Sequence, residues 1–267
     1  MSASPVQAGL DRDDYALFCA GVRRLCCVDL TQYRRNQMER RIRSLAEKRG
    51  MPQLSSYLAT LCTDEDELDR FLDRMTINVS QLWRNPDQWA LLGEEIVPQL
   101  VRDGQLRAWS AGCSYGAEVF TLAAVCLDAL PSIKLEILGS DIDARMIERA
   151  RRAEFSDSDA RNAPREGLER WFERTANGWR AGAELRAVAR FEVADLLAAR
   201  PRGAPYDLIV CRNTVIYLTP HGRGALYEGL VEALRPGGYL MVGCTERIHE
   251  PEAYGLTLAH SFTYRKA

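Results

Sequence analysis

Glu118 and Asp141 stand just past two short apolar runs, where a carboxylate can meet a polar ligand. Glu118 closes the stretch LRAWSAGCSYGAE (106–118), in which an apolar strand pattern breaks at Gly112 and a helical pattern begins at Glu118. Gly112 and Gly116 let backbone approach a ligand closely, and a helix start offers free N–H groups. Asp141 follows a second apolar run, Leu135 to Gly139, and an acid at such a strand end can take both hydroxyls of a ribose. The glycine spacing is not GxGxxG, and the acid lies farther downstream than the usual dinucleotide spacing. Alone, the loop is an ordinary tight turn. With Asp141 it favours a nucleotide-like ligand, whose identity these residues leave open.

Three further clusters carry polar chemistry. In Thr76–Arg84, the residues Asn78, Ser80 and Arg84 recur at even offsets, so an extended segment would place them on one side. The same residues also suit a capping turn that leads into a helix after Pro86, with Arg84 a surface charge. Asp195-Leu196 follows a strand candidate, a common place for an acid or amide beside an adenine. Cys211 to Tyr217, with Arg212 and Asn213, ends a core strand, the edge that faces the ligand crevice of an open α/β sheet. Tyr217 is equally suited to packing.

The elements that must position these residues fall into two regions. The first eighty residues read as helices: Leu17, Val22 and Leu25 mark one, and Tyr33, Met38, Ile42, Leu45 and Ala46 a second. Leu54, Tyr57, Leu58 and Leu61 mark a third, and a fourth runs from Thr63 through Leu68, Phe71, Leu72 and Met75. From Leu106 strands and helices alternate. Strand candidates at 191–193, 208–211 and 239–243, with a helix over 224–234, predict a mainly parallel sheet covered by helices on both faces. A final long strand over 256–264 follows a loop and is expected to be antiparallel. Trp171-Phe172, Asn177-Gly178 and Leu185 to Val188 suggest a small hairpin insertion within 157–190.

The 267 residues are 46% hydrophobic and 27% charged, with a net charge of −2, enough for one domain and a small partner. No apolar run approaches the ~20 residues of a membrane span, and MSASPVQAGL lacks the features of a signal peptide, so a cytoplasmic location is expected. Eight cysteines form no CxxC pair and the three histidines all lie beyond residue 220, so no metal site is expected. The cysteines read as buried thiols, with Cys113 distinguished by its place in the glycine turn. Between Gly21 and Gly50 nine basic residues face three acidic ones, a local excess of six positive charges. Arg34, Arg35, Arg40, Arg41 and Arg43 cluster on one helix, which suits an acidic partner or a solvated face; aromatics for nucleic acid are nearly absent.

TINVSQLWRN, AGCSYGAE, GSDID, ADLL, VCRNTVIYL and LRPGGYLMVGCTE occur in that order, and together the chain resembles the CheR-type chemoreceptor methyltransferases. The resemblance covers residue 10 or so to the C-terminus. It implies an α/β fold: a Rossmann-like class I methyltransferase sheet over 81–267, a helical N-terminal domain over 1–80, and a small antiparallel β insertion at about 165–190. It implies S-adenosylmethionine as donor, S-adenosylhomocysteine as product, and methyl transfer to glutamates of a chemoreceptor's cytoplasmic helices by a monomer. Asn78, Ser80, Arg84, Gly112, Glu118, Asp141, Asp195, Leu196, Arg212 and Asn213 fall at donor-binding positions, Arg84 and Tyr217 at the catalytic pair. The arginine-rich helix then becomes the candidate receptor contact. Ser80 stands for a threonine, Trp83 for a phenylalanine, Ala117 for a glutamate and Val119-Phe120 for Pro-Tyr. Residues Glu173 to Arg190 form a shorter segment than in members that dock on a receptor's tail peptide, so action without such a tether is expected. Two other readings stay open: methylation of another acidic substrate, and a donor-binding regulator without turnover.

Overall fold

The structure, a computed structural model, describes residues 13–26, 29–64, 66–68, 70–71, 80–198 and 205–267, without the side chains of Cys26 and Tyr217. It divides into two compact units, Met1–Ile77 and Asn78–Ala267.

The first unit is helical. It contains α1 (Asp14–Cys26), a 3-10 turn over Leu30–Gln32, α2 (Arg35–Lys48) and α3 (Leu54–Thr63), with 66–68 and 70–71 also helical. Asp64 receives the Glu67 N–H and so starts that last helix. Leu72 and Met75 lie outside the described residues. Phe18, Tyr57 and Phe71 form an aromatic triangle with ring centroids 5.8–6.2 Å apart. Leu17, which the periodicity places on the buried face of α1, is 54% exposed; Phe18, Cys19 and Val22 occupy that face.

The second unit opens with α4 (Pro86–Leu91), a π turn over Leu92–Ile96 and α5 (Val97–Leu100). Then come β1 (Gln105–Ala111), α6 (Ala117–Ala129), β2 (Lys134–Asp141) and α7 (Ala144–Arg152). Next are β3 (Glu154–Phe155), α8 (Arg165–Trp171), β4 (Phe172–Thr175), β5 (Gly178–Ala181), α9 (Ala183–Val188) and β6 (Ala189–Val193). The chain ends with β7 (Tyr206–Cys211), α10 (Pro220–Ala233), β8 (Leu234–Val242), β9 (Leu256–His260) and β10 (Thr263–Lys266).

Seven strands form the main sheet in the order β6-β2-β1-β7-β8-β10-β9. The first five are parallel, and β10 is antiparallel to both β8 and β9. After β1 the chain moves outward through β2 to β6, then returns to β7 on the other side of β1. The order therefore reverses at β1, and the crevice above its carboxyl end is the ligand position of such sheets. α6 is apolar all round, AEVFTLAAVCLDA, and is buried from Ala117 to Leu127 against this sheet.

Two local readings change. The run 256–264 is a hairpin rather than one strand, because Phe262 turns back at φ +59° between β9 and β10. Leu185 to Val188 is helical: α9 is built from Ala, Glu, Leu and Arg, strong helix formers, and only Leu185 is buried. The insertion is instead a three-stranded antiparallel sheet, β3-β5-β4, with the hairpin turn at Ala176-Asn177.

Candidate functional site

The loop after β1 is a compact, internally bonded turn. Gly112 (φ +81°) and Gly116 (φ +86°) adopt backbone that side chains resist, and a Cβ on Gly112 would lie 2.7 Å from Thr214 Oγ1. The N–H groups of Gly112 and Cys113 both donate to the Ser140 carbonyl at 2.9 Å, and Gly116 N–H donates to the Cys113 carbonyl. Ser114 N–H donates to Asp141 Oδ2 at 2.8 Å. The free N–H groups expected at the turn are thus committed inside the protein at these four residues. The end of β2 shapes the loop.

Asp141 is 8% exposed; its other oxygen accepts from Asp143 N–H at 3.0 Å. Burial pushes its pKa up, against the backbone N–H groups that favour the carboxylate. No cationic side chain pairs with it among the described residues. Glu118, equally buried, accepts from Ser110 Oγ at 2.8 Å and faces Arg212 Nη1 at 3.4 Å. Its pKa is also raised by burial, which outweighs the Arg212 and Ser110 contacts.

Arg212, expected to contact the donor, is bonded on all sides. It donates from Nε to Gln88 Oε1 (3.0 Å), and from Nη2 to the Arg84 carbonyl (2.7 Å) and Asn85 Oδ1 (2.9 Å), besides facing Glu118. Its guanidinium also sits 5.1 Å from the Trp89 ring centroid. Arg212 therefore organises the segment around Arg84. Trp89 Nε1 donates to the same Arg84 carbonyl at 2.9 Å, and Gln88 reaches the Val242 carbonyl at 3.1 Å. Sequence patterns gave Gln88 and Trp89 no role, because their partners lie up to 154 positions away.

Residues 80–85 are not extended. Trp83 (φ +49°) and Asn85 (φ +60°) both take left-handed backbone around Arg84, so Ser80 and Arg84 do not share one extended segment. Such backbone costs about 1–2 kcal/mol per residue and is retained where surroundings fix it. Trp83 N–H donates to Thr121 Oγ1, its ring packs edge-on to Phe172, and Asn85 is held by Arg212. Asn78 lies outside the described residues. Ser80 is half-buried, and its carbonyl shares the single proton of Tyr115 OH with Asp159 Oδ1, which lies 2.9 Å from that hydroxyl. The Arg149 guanidinium covers the Tyr115 ring at 3.8 Å. Tyr115 thus ties the glycine loop to Ser80, a link no local pattern announced.

Asp195 and Leu196, both partly exposed, follow β6; Asp195 Oδ1 accepts from Leu197 N–H at 2.9 Å. Asn213 takes φ +59° just after β7, and Tyr217 closes a 3-10 turn over Val215–Tyr217. The Cys113 thiol is 1% exposed and is held well above its usual pKa by burial and then by Asp141 and Glu118, so it is not a nucleophile at neutral pH. Among the candidate recognition arginines, Arg35 pairs with Asp13 and Glu39, and Arg43 with Asp14 and Glu39. Part of the positive charge of α2 is therefore spent within the first unit. Arg34 and Arg40 are exposed and Arg41 is half-buried.

S-adenosylmethionine fits this donor set. A cationic ligand with an ammonium and a ribose diol matches two desolvated carboxylates, one of which, Asp141, pairs with no cation among the described residues. Asp141 ends β2, Asp195 and Asn213 follow β6 and β7, and Glu118 lies in the first turn of α6 after the loop from β1, all on the carboxyl-end side of the parallel strands.

Comparison with known proteins points the same way. Residues 78–261 match the CheR methyltransferase SAM-binding domain, and residues 13–76 match the CheR methyltransferase all-alpha domain. A chemotaxis protein methyltransferase of Listeria innocua is 34% identical over 255 residues, covering 95% of this chain and 97% of that protein. One from Pseudomonas aeruginosa is 26% identical over 255 residues, covering 90% and 93%. One from Escherichia coli is 28% identical over 226 residues, covering 81% and 77%. No helix among the described residues is long and apolar enough to cross a membrane. With a reversing α/β sheet, two buried acids suited to a sulfonium donor and both family domains in order, the chain belongs to the CheR family of S-adenosylmethionine-dependent methyltransferases.

Proposed function

We propose that this protein methylates glutamate side chains on the cytoplasmic helices of a chemoreceptor, giving methyl esters. The observation that carries the reading is the pinned Arg84 backbone: two donors hold its carbonyl and two left-handed residues flank it, at the junction leading into the methyltransferase sheet. A backbone fixed in this way sets where the Arg84 side chain leaves the chain, which suits orienting a substrate carboxylate.

When bound, S-adenosylmethionine supplies an electrophilic methyl on a sulfonium that becomes a neutral thioether on transfer. A glutamate with pKa about 4.3 is already ionised at neutral pH, so no general base is required of the protein. The task is alignment, for which orientation alone supplies a large part of the rate. Arg84 holds the carboxylate, and the Tyr217 hydroxyl sets the angle of the attacking oxygen. Glu118 faces the donor's ammonium and Asp141 its ribose, with Asp195 and Leu196 beside the adenine. Asn213 and Ser80 complete the wall. Exposed Arg34 and Arg40, with Arg41, give the first unit a positive face for an acidic receptor bundle. Each ester removes one negative charge, which changes receptor packing.

Radiolabelled methyl transfer to receptor cytoplasmic fragments tests this. Label released as methanol by mild base is the expected result. S-adenosylhomocysteine binding with no base-labile label on receptor fragments or on any other acidic protein refutes the enzyme reading and favours a donor-binding regulator. Base-labile label on other acidic proteins but not on receptor fragments refutes the receptor reading.

A further inference from the structure

Besides Asp143, which pairs with Arg145 at 3.0 Å, three carboxylates are buried near the carboxyl ends of the central strands, and the mechanism uses only Glu118 and Asp141. The third, Glu246, is 3% exposed and follows β8 through a tight turn in which its N–H donates to the Gly243 carbonyl at 2.8 Å. Its Oε2 accepts from the N–H groups of Asn213 and Gly243, both at 2.8 Å, and its Oε1 from Val215 N–H at 3.1 Å. Among the described residues no cationic side chain pairs with it. Backbone donors alone compensate this charge.

Two of the three donors come from the segment that follows β7, and Gly243 follows β8. There the chain leaves the sheet, reverses at Asn213 (φ +59°) and enters the 3-10 turn that ends at Tyr217. Turning out of a ladder orphans N–H groups, and orphaned buried donors must find acceptors. A carboxylate offers about four lone-pair sites on two oxygens, so one side chain can gather donors from both strand ends. The fit is close: a Cβ on Gly243 would lie 2.7 Å from Glu246 Oε2 and 3.0 Å from Asn213 N. Glycine is needed there so that the end of β8 can meet the turn. Thr214, held in the same turn, fills the space over Gly112, so the turn's placement also sets the glycine loop.

We infer that Glu246 is a positioning residue of methyl transfer, whose carboxylate fixes the Asn213–Tyr217 turn and through it Asn213, Thr214 and Tyr217. The inference rests on the reading of Asn213 and Tyr217 as site residues. Glu246 touches neither donor nor substrate in this role. Glu246→Gln replaces one acceptor oxygen with an NH₂ that faces backbone N–H groups, donor against donor. Glu246→Asp keeps the charge but withdraws it by one methylene. Leu106→Ala, a core truncation at the amino end of β1, controls for simple destabilisation.

The test measures S-adenosylhomocysteine affinity by calorimetry, kcat and donor KM, and Tm, on the full chain. Glu246→Gln is expected to weaken the affinity about tenfold or more and to lower kcat, as lost charge-assisted bonds predict. Leu106→Ala with an equal or larger fall in Tm is expected to bind within about twofold of the parent, since a cavity at the far end of the strands alters stability alone. Glu246→Asp should recover part of the lost affinity. Glu246→Gln that binds like the parent, or Leu106→Ala that loses as much, overturns the inference. If Glu246→Gln does not fold, Glu246→Asp decides: affinity and kcat equal to the parent's overturn the inference, and a selective loss supports it. A parent that binds S-adenosylhomocysteine but leaves receptor fragments unlabelled refutes only the receptor reading, since affinity still reports on Glu246. A parent that does not bind it overturns both.

Discussion

Replacing Arg212 with methionine should expose how far one guanidinium holds the site together. Methionine keeps a flexible apolar stem against Trp89 but removes every hydrogen bond to Gln88, Arg84, Asn85 and Glu118. Arg212 and Glu118 are both buried, so the surviving carboxylate loses its cationic partner in a desolvated place. Breaking such a buried pair costs about 3–5 kcal/mol. For a unit of this size, at about 2–4 °C per kcal/mol, Tm should fall by roughly 6–20 °C. Glu118 also gives the result a pH signature. Its folded pKa is raised by burial, so it favours the folded state below its unfolded value and loses that contribution as pH rises through the folded value. Without Arg212 the folded value rises further. The deficit of Arg212→Met against the parent should therefore be largest near pH 8 and shrink as pH falls toward about 5. Thermal and urea unfolding of parent, Arg212→Met, Glu118→Gln and the double variant from pH 5 to 8 measure this. The double variant should be more stable than the two single losses predict, because no charge is left orphaned. A deficit unchanged with pH, or strictly additive losses, would refute the reasoning.

Asp141→Asn should weaken S-adenosylhomocysteine binding by about tenfold or more in calorimetry, because an amide NH₂ then meets the N–H groups of Ser114 or Asp143 and a charged acceptor is lost. Tyr217→Phe should lower kcat while donor affinity stays within about threefold, as expected of a group engaged in the transition state. Among the six described cysteines, a maleimide reagent read by mass spectrometry should modify exposed Cys62 and partly exposed Cys244, and leave Cys19, Cys113, Cys126 and Cys211 until the fold opens. A receptor tail peptide should not be retained tightly by the protein in a pull-down; tight retention would show that the short β insertion still serves as a tether.

The fold was legible where local chemistry had one outcome. The break from Leu106–Trp109 into Gly112 and then Glu118 describes strand, turn and helix, and the structure has β1, the loop and α6 there. Patterns failed where a short run suits two states, as at Leu185–Val188, or where one turn residue, Phe262, divides an apolar stretch. The candidate site was less legible, since its polar residues could be named but their partners could not. Arg212 looks like a ligand contact in VCRNTVIYL, yet it is bonded to residues more than 90 positions away. Glu246 is only the last letter of LRPGGYLMVGCTE until the structure places it under Asn213. Tyr115 gives no sign of Ser80 and Asp159. Sequence spacing carries helix and strand periods; it carries no information on which distant backbone groups a buried charge will gather.

The bonds of Arg212 also set an order of events in folding. Its partners lie 94 to 128 residues earlier in the chain. Contacts so distant in sequence close slowly, after local helices and hairpins have formed. During synthesis, the Arg84 segment and the glycine loop leave the ribosome well before β7 supplies the side chain that joins them. A nascent chain therefore has no half-built crevice in which to trap donor. The ligand stabilises only the finished unit, and cellular levels of donor act on the lifetime of the folded enzyme more than on its birth.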